Sequence, residues 1–220
     1  MNSLSSQFRD LIWGRILRQE YKPGEQIPTK EIAEEFNVSV TPIRLALKEL
    51  ADNGFLFKRA RVGYFVVDLT SAELIEISQT RRMFEVYCLS NFFNGLDLEK
   101  LHKTYKIIYN NKVSNFSKQL YQGSDKAFHN ALVQASANRY LMQQYQRVND
   151  MFATFVAIDA NNTENIIKSR NEHLEILDHI FAGEKEPAIQ GLNLHLDRAD
   201  ELLMSNYFCS KGHDKPVFGV

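Results

Sequence analysis

The sequence lacks the features of a secreted or membrane protein. Its 220 residues contain two cysteines, Cys88 and Cys209, and these form no C-x-x-C motif, which indicates a reducing cytosol. No apolar run approaches the roughly 20 residues that a membrane-spanning helix needs, and the N-terminus has no signal-peptide pattern. Low-complexity tracts and repeats of fixed period are also absent. We therefore expect a cytoplasmic protein of one or two globular domains, without a membrane partner.

The chain also lacks an excess of positive charge, because its formal net charge is −1 at pH 7. Any attraction to nucleic acid must then come from a local group of cations near the phosphates. The segment from Val40 to Val67 is such a group, with a net charge of +3. Its charged residues are Arg44, Lys48, Lys58, Arg59, Arg61, Glu49 and Asp52.

A short amphipathic helix is predicted at the start of this segment. Its apolar residues recur at helical spacing on one face, namely Ile43, Ala46, Leu47 and Leu50. Thr41 is placed to cap the N-terminus, Pro42 to occupy the first helical position, and Gly54 to stop the helix.

The other face of this helix has the chemistry needed to recognise a DNA duplex. Thr41, Arg44 and Lys48 lie there, near the open N-terminal end. Helix N-termini and arginine bind phosphates, and arginine also recognises guanine edges. For this segment alone, an ordinary amphipathic surface helix is an equal alternative.

The flanking residues favour DNA recognition. A first helix is expected over residues 4–20 and a second over 29–36, and Asn37-Val38 forms the tight link of a helix-turn-helix. Two β-prone runs, 55–58 and 63–67, follow and are joined by the basic tip Arg59-Ala-Arg-Val. Helix, turn, helix and basic hairpin in this order predict a winged helix-turn-helix.

These residues resemble the DNA-binding domain of the GntR family of bacterial transcription regulators. The similar motifs are the Pro-Gly turn in 21–27, the helix signature in 38–47, and the wing in 53–55 with 63–66. The sequence departs from the family pattern at Val40, usually arginine, and at Leu45, usually glutamate. Val40 can offer a base only an apolar contact, for example with a thymine methyl.

The resemblance implies a set of DNA contacts in the reading helix, the preceding helix and the wing. They are Lys30, Ser39, Thr41, Arg44, Lys48, Arg59, Arg61 and Gly63.

The character of the sequence changes near residue 69. Thr70 and Glu73 form a capping box, and only helical patterns follow, at about 71–93, 97–111, 115–135, 138–159, 163–181 and 185–207. We therefore predict a mostly α fold in two domains. Residues 1–69 form the winged helix-turn-helix, and residues 70–220 form an all-α bundle of about six helices that binds an effector and dimerises. The polar tail after Ser210 is expected to be poorly ordered.

Histidines on the later helices suggest a metal site. Asp125 and His129 are four residues apart and share a helix face, while His173 and His195 each lie within an apolar stripe. Such residues are usually a surface pair and ordinary core histidines. Should they converge, three imidazoles and one carboxylate suit a divalent transition metal with open coordination positions.

The same residues resemble the ligand-binding FCD domain of the FadR-type branch of the GntR family. The similar motifs are Asp125-x-x-Phe-His129, Ala137-Asn138, Glu172-His173 and His195, with Arg-x-x-x-Glu at 81–85. The resemblance implies that Asp125, His129, His173 and His195 bind a divalent ion. Imidazole-rich sites favour Zn²⁺ or Ni²⁺ over Mg²⁺.

The resemblance also implies that Arg81 clamps the carboxylate of a small effector, since a guanidinium grips a carboxylate with two hydrogen bonds. The alternative is an ion pair between Arg81 and Glu85, one turn along the helix.

Together these features predict a homodimeric, ligand-responsive transcription regulator, with repression as the default, that binds a near-palindromic double-stranded operator. One alternative is a regulator for which the metal itself is the signal. Another is a metal-dependent hydrolase, which is disfavoured because no general base accompanies the ligands; Glu172, next to His173, is expected on a different helix face. We predict that the protein is not an enzyme.

Overall fold

The computed structural model describes residues 3–18, 20–111, 117–156 and 163–211. Over these residues the chain is mostly helical, with one small antiparallel sheet, which confirms the predicted fold class. In chain order the elements are α1 Leu4–Leu17, α2 Thr29–Glu35, α3 Val40–Asp52, β1 Leu56–Arg59, β2 Gly63–Val66, α4 Ser71–Asn91, α5 Leu98–Asn110, α6 Lys118–Gln134, α7 Arg139–Val156, α8 Thr163–Ala182 and α9 Lys185–Lys211. The tail beyond Lys211 lies outside the described residues.

The chain divides into two compact units. One comprises Met1–Glu73 with Asp150–Ile158, and the other comprises Leu74–Asn149 with Asp159–Val220. None of the helices in the described ranges is both long enough and apolar enough to cross a membrane.

The N-terminal unit forms around a single apolar core. Helix α1 packs against α3 and buries Phe8, Ile12 and Ile16, while α3 buries Ile43 and Leu47 among others. Both helices therefore pack through their apolar faces, and for α3 this face is the predicted apolar stripe.

The turn between α2 and α3 depends on one left-handed residue. Asn37 has φ 51°, a conformation that asparagine tolerates better than most side chains. The backbone N–H of Val38 then donates to the carbonyl of Ala33 at 2.9 Å. This tight reversal allows α3 to start almost immediately after α2 ends.

The ends of α3 differ in part from expectation. The helix starts at Val40 with Ser39 in the cap position, so the cap predicted for Thr41 was wrong, and Pro42 lies in the first turn rather than at its first residue. Proline is tolerated there because the first four helical N–H groups have no partner within the helix. Gly54, with φ 85°, follows the last turn and confirms the predicted stop.

The wing is a two-stranded hairpin, as predicted. Strands β1 and β2 pair in antiparallel register from Leu56 with Val66 to Arg59 with Gly63. Gly63 has φ 147°, and a side chain there would meet the amide of Gln26 at 2.9 Å. The Gln26 side chain also donates to the Val62 carbonyl at 3.0 Å, so this amide fixes the hairpin tip to the segment before α2.

Helix α4 begins at the predicted capping box. The Thr70 N–H donates to the Glu73 carboxylate at 2.8 Å, and the Glu73 N–H donates to the Thr70 hydroxyl at 3.2 Å. The largest apolar cluster of the second unit brings together side chains of α4, α5, α6, α8 and α9. Of these helices, α6, α8 and α9 contain the predicted metal ligands.

Candidate metal centre and nucleic-acid interface

Three histidines from three helices converge inside the second unit. His129 comes from α6, His173 from α8 and His195 from α9, and all three are buried. One ligand atom of each lies within 4.8 Å of the others, and the Nε2 atoms of His173 and His195 are 3.1 Å apart. The sequence placed His173 and His195 within apolar stripes and His129 on a helix face with Asp125, and the packing of the three helices brings the rings together.

Asp125 lies at the edge of this histidine cluster. Its Oδ1 atom is 3.9 Å from Nε2 of His129 and 3.7 Å from Nε2 of His173. Its side chain is 36% exposed, so it forms the side of the cluster that is open to solvent. The structure thus brings together all four side chains that were predicted as metal ligands.

Two further carboxylates contact the outer nitrogens of the cluster. Glu85 of α4 lies 2.7 Å from Nδ1 of His129, and Glu172 of α8 lies 2.8 Å from Nδ1 of His195. Ionised carboxylates can only accept, so each histidine donates its Nδ1–H and directs the lone pair of Nε2 into the cluster. The sequence does not predict this role for Glu172, because the contact reaches from α8 across to α9.

The charges around the cluster keep both carboxylates ionised. Burial alone would raise the pKa of Glu85, but Arg81 and His129 outweigh burial and lower that pKa to about 2. Burial likewise opposes ionisation of Glu172, yet hydrogen bonds from His195 and Arg198 lower its pKa. Arg198 binds this carboxylate through two nitrogens, at 2.5 and 2.7 Å.

The same burial favours the neutral form of His173 and His195, which is the form that binds metals. The pKa of His173 lies well below its ordinary value because of burial and the adjacent rings of His195 and His129. Burial also lowers the pKa of His195, although Glu172 opposes that shift.

The donor set fits a divalent transition ion. Nδ1 of His173 is buried without a hydrogen-bond partner among the residues that the structure describes, and its Nε2 faces that of His195. If neutral His173 has its proton on Nε2, that N–H can donate to Nε2 of His195; if it has its proton on Nδ1, the two Nε2 lone pairs face each other. In either form Nδ1 has no hydrogen-bond partner among the described residues. A cation held by these nitrogens would relieve the repulsion of the second form.

Arg81 forms the ion pair that was the alternative to an effector clamp. Its Nε donates to Glu85 at 2.8 Å, and the guanidinium is only 4% exposed. The Tyr145 hydroxyl donates to the same oxygen of Glu85 at 2.8 Å. Glu85 therefore joins Arg81, Tyr145 and the candidate ligand His129 in one buried network.

The residues of α3 that the sequence predicts to contact DNA lie on its exposed face. Thr41, Arg44 and Lys48 are exposed, whereas Val40 is half-buried and packs against the N-terminal core. Lys48 pairs with Asp52 at 2.6 Å. Arg44 makes no hydrogen bond or ion pair with any described residue, so its guanidinium is available to a ligand.

The remaining predicted DNA contacts lie on the surface of the same unit. Lys30 and Ser39 are exposed near the N-termini of α2 and α3, and Arg61 is exposed at the wing tip with φ 62°. Arg59 belongs to β1, and its guanidinium lies 4.6 Å from the centre of the Phe65 ring. Gly63, the eighth predicted contact, also has a structural reason to be glycine, because of Gln26.

A basic winged helix-turn-helix followed by a separate helical unit is the architecture of a DNA-binding transcription regulator. Two parts of the chain match known protein families. The family "Bacterial regulatory proteins, gntR family" matches residues 4–66, and the "FCD domain" matches residues 76–198. The chain belongs to the GntR family of bacterial transcription regulators and has an FCD domain. Its relatives are regulators and not enzymes, as the sequence predicted.

Individual relatives support this assignment. The gluconate operon transcriptional repressor of Bacillus subtilis is 25% identical over 215 residues, which cover 90% of this chain and 86% of the repressor. A GntR regulator from Rhodococcus sp. RHA1 has the same fold, with TM-score 0.79 and 19% identity over 93% of this chain and 99% of that one. The Zn²⁺-bound FCD domain of TM0439 has TM-score 0.57 and 25% identity, and covers 64% of this chain and 99% of that domain.

Proposed function

We propose that this regulator is a homodimeric repressor whose FCD domain binds one divalent transition metal ion per subunit together with a small carboxylate effector. Residues 1–69 bind the operator, and residues 70–220 bind the effector and dimerise, in the cytoplasm. The matches of the two family models to 4–66 and 76–198 support this division, and the repressor relative supports the sign of regulation.

The metal proposal depends on the convergence of His129, His173 and His195 around one point. Asp125 completes a set of three imidazoles and one carboxylate, which suits Zn²⁺ or Ni²⁺. The Zn²⁺-bound FCD domain of TM0439 is a further argument for zinc. Bound in this cluster, such an ion supplies positive charge and open coordination positions for an anionic ligand.

The effector proposal depends on charge. Three carboxylates surround the cluster, namely Asp125, Glu85 and Glu172. An ion of charge +2, together with Arg81 and Arg198, would exceed their negative charge by one. An anion of small size would balance that excess. Arg81 is buried against Glu85, so an effector carboxylate that uses this guanidinium competes with Glu85 for it.

The dimer proposal has a separate basis in α4. Met83 and Tyr87 lie one turn apart on this helix and are 59% and 51% exposed. Neighbouring exposed apolar side chains often belong to an interface. Light scattering of the purified full-length protein tests the stoichiometry.

Elemental analysis of three purified proteins tests the metal site. Wild type should contain about one ion per chain, His173→Ala should contain much less, and His179→Ala should match wild type. His179 lies on the same helix but outside the cluster, so it controls for the loss of a histidine. Equal metal in all three proteins, or none in wild type after loading with Zn²⁺, would end the proposal.

A second candidate function makes the ion itself the signal. The buried site offers its nitrogens directly to an ion, so binding of the ion does not by itself require an organic acid. Operator affinity measured against free Zn²⁺, with and without gluconate or citrate as probes, distinguishes the two. A response to Zn²⁺ alone favours metal sensing, and a response that needs the acid favours the effector.

A further inference from the structure

Leu45 is the apolar residue on the outer face of α3 that the fold leaves uncovered. Its side chain is 54% exposed, whereas the other apolar residues of α3, which the structure describes completely, are buried or pack against the N-terminal core. Those residues are Val40, Ile43, Ala46, Leu47, Leu50 and Ala51. A single exposed leucine is common on protein surfaces, so its neighbours decide what it can do.

The neighbours of Leu45 are the side chains that face DNA. It follows Arg44 and lies one turn from Thr41 and Lys48 on the same exposed face. A leucine in a helix points its side chain toward the N-terminus, so Leu45 covers the surface near Thr41. The N-terminal part of a recognition helix is the part that contacts base edges.

We propose that Leu45 recognises the C5-methyl group of a thymine in the major groove of each operator half-site. Of the four bases, only thymine presents a methyl group there. The isobutyl group of leucine has no hydrogen-bond donor or acceptor. Its contact with the polar edge of guanine or cytosine would displace water and leave the base without the hydrogen bonds that the water made. This inference rests on the proposed binding of the operator by α3.

Val40 is the other apolar candidate, and its packing makes it the weaker one. It is half-buried and contacts the N-terminal core, so less of its surface is left for a base. The apolar contact that the sequence suggested for Val40 therefore belongs to Leu45, five residues further along the helix.

Replacement of thymine by deoxyuridine tests the proposal, because it removes the C5-methyl group and keeps base pairing. The operator is first selected from random duplexes with the full-length protein, and each thymine is then replaced singly. Wild type should lose affinity at one position per half-site by about fourfold, the factor for burial of one methyl group. Leu45→Ala and Leu45→Asn should bind the thymine and uracil versions of that position equally well.

Arg44→Ala is the matched control, because it should lower affinity for every version and keep the response to uracil. Leu45 is exposed, so its variants should unfold at the wild-type temperature, which circular dichroism checks. A uracil response that persists in Leu45→Ala overturns the proposal, and so does wild type without any sensitive thymine. If no duplex is selected at all, the proposed operator binding fails, and this inference fails with it.

Discussion

Nδ1 of His129 on α6 lies 2.7 Å from Oε2 of Glu85 on α4, and both side chains are completely buried. The carboxylate accepts a hydrogen bond from the Nδ1–H of His129, so the lone pair on Nε2 of His129 faces the histidine cluster. Glu172 has the same relationship to His195, at 2.8 Å. These two contacts convert a group of core histidines into an oriented set of donors.

We predict that Glu85→Gln and Glu172→Gln each lower Zn²⁺ affinity by about 10- to 100-fold, because the ligand rings lose their fixed orientation. Competition with a chromophoric chelator measures this effect. Glu175→Gln is the control, since Glu175 is an exposed carboxylate on the same helix as Glu172. Unchanged zinc affinity in both folded variants would contradict the positioning role of these carboxylates.

Arg44 and Lys48 should contribute unequally to operator binding. Arg44→Ala should cost about 1–3 kcal/mol, because its guanidinium is exposed and makes no hydrogen bond or ion pair within the described part of the chain. Lys48→Ala should cost less, because its ammonium pairs with Asp52 at 2.6 Å and must leave that partner to contact DNA. Anisotropy titrations at one fixed salt concentration compare the two, and equal losses would count against this ranking.

The wing arginines should act on affinity rather than on sequence choice. Arg61→Ala should weaken binding to all duplexes alike and reduce the salt dependence of binding by about one phosphate contact. Arg59→Ala should additionally lower the stability of the hairpin, because this guanidinium lies over the Phe57 and Phe65 rings. Titrations over a range of salt concentrations, together with thermal unfolding, separate these effects. Loss of specific binding alone would instead show that the wing recognises bases.

Acid should destabilise the metal-free protein. The fold lowers the pKa values of His173 and His195. As the pH falls below the ordinary histidine pKa of 6.5, these two side chains therefore bind protons in the unfolded chain before they do so in the folded one. The contribution of these two histidines to the free energy of unfolding should therefore be complete above pH 6.5. Below pH 6.5 the free energy of unfolding should fall by roughly 1.4 kcal/mol per pH unit for each histidine. Urea unfolding with EDTA at several pH values measures this slope.

His173→Gln should reduce that slope, because it removes one of the buried neutral rings. His102→Gln serves as the control, since His102 is exposed on α5 and stacks on Phe181. A slope that is the same in wild type and in His173→Gln would show that another group titrates in this range.

The sequence by itself determined the features that depend on neighbouring residues. The capping box of Thr70 and Glu73, the stop at Gly54 and the apolar stripe of α3 are all local, and the structure has each of them. The order of helices and strands in the winged domain was also predictable, because each element has its own periodicity and turn residues. Asp125 and His129 share a face for the same reason, since they are four residues apart on α6.

Only the tertiary structure decided which faces meet. Periodicity indicates that a face is buried but does not say what packs on it, so the roles of Glu85 and Glu172 became visible only from contacts with α6 and α9. The same limit applies to α3, where packing covers Val40 and leaves Leu45 exposed. Burial then set the pKa of His173, because desolvation depends on the whole surrounding core and not on the residues adjacent in sequence.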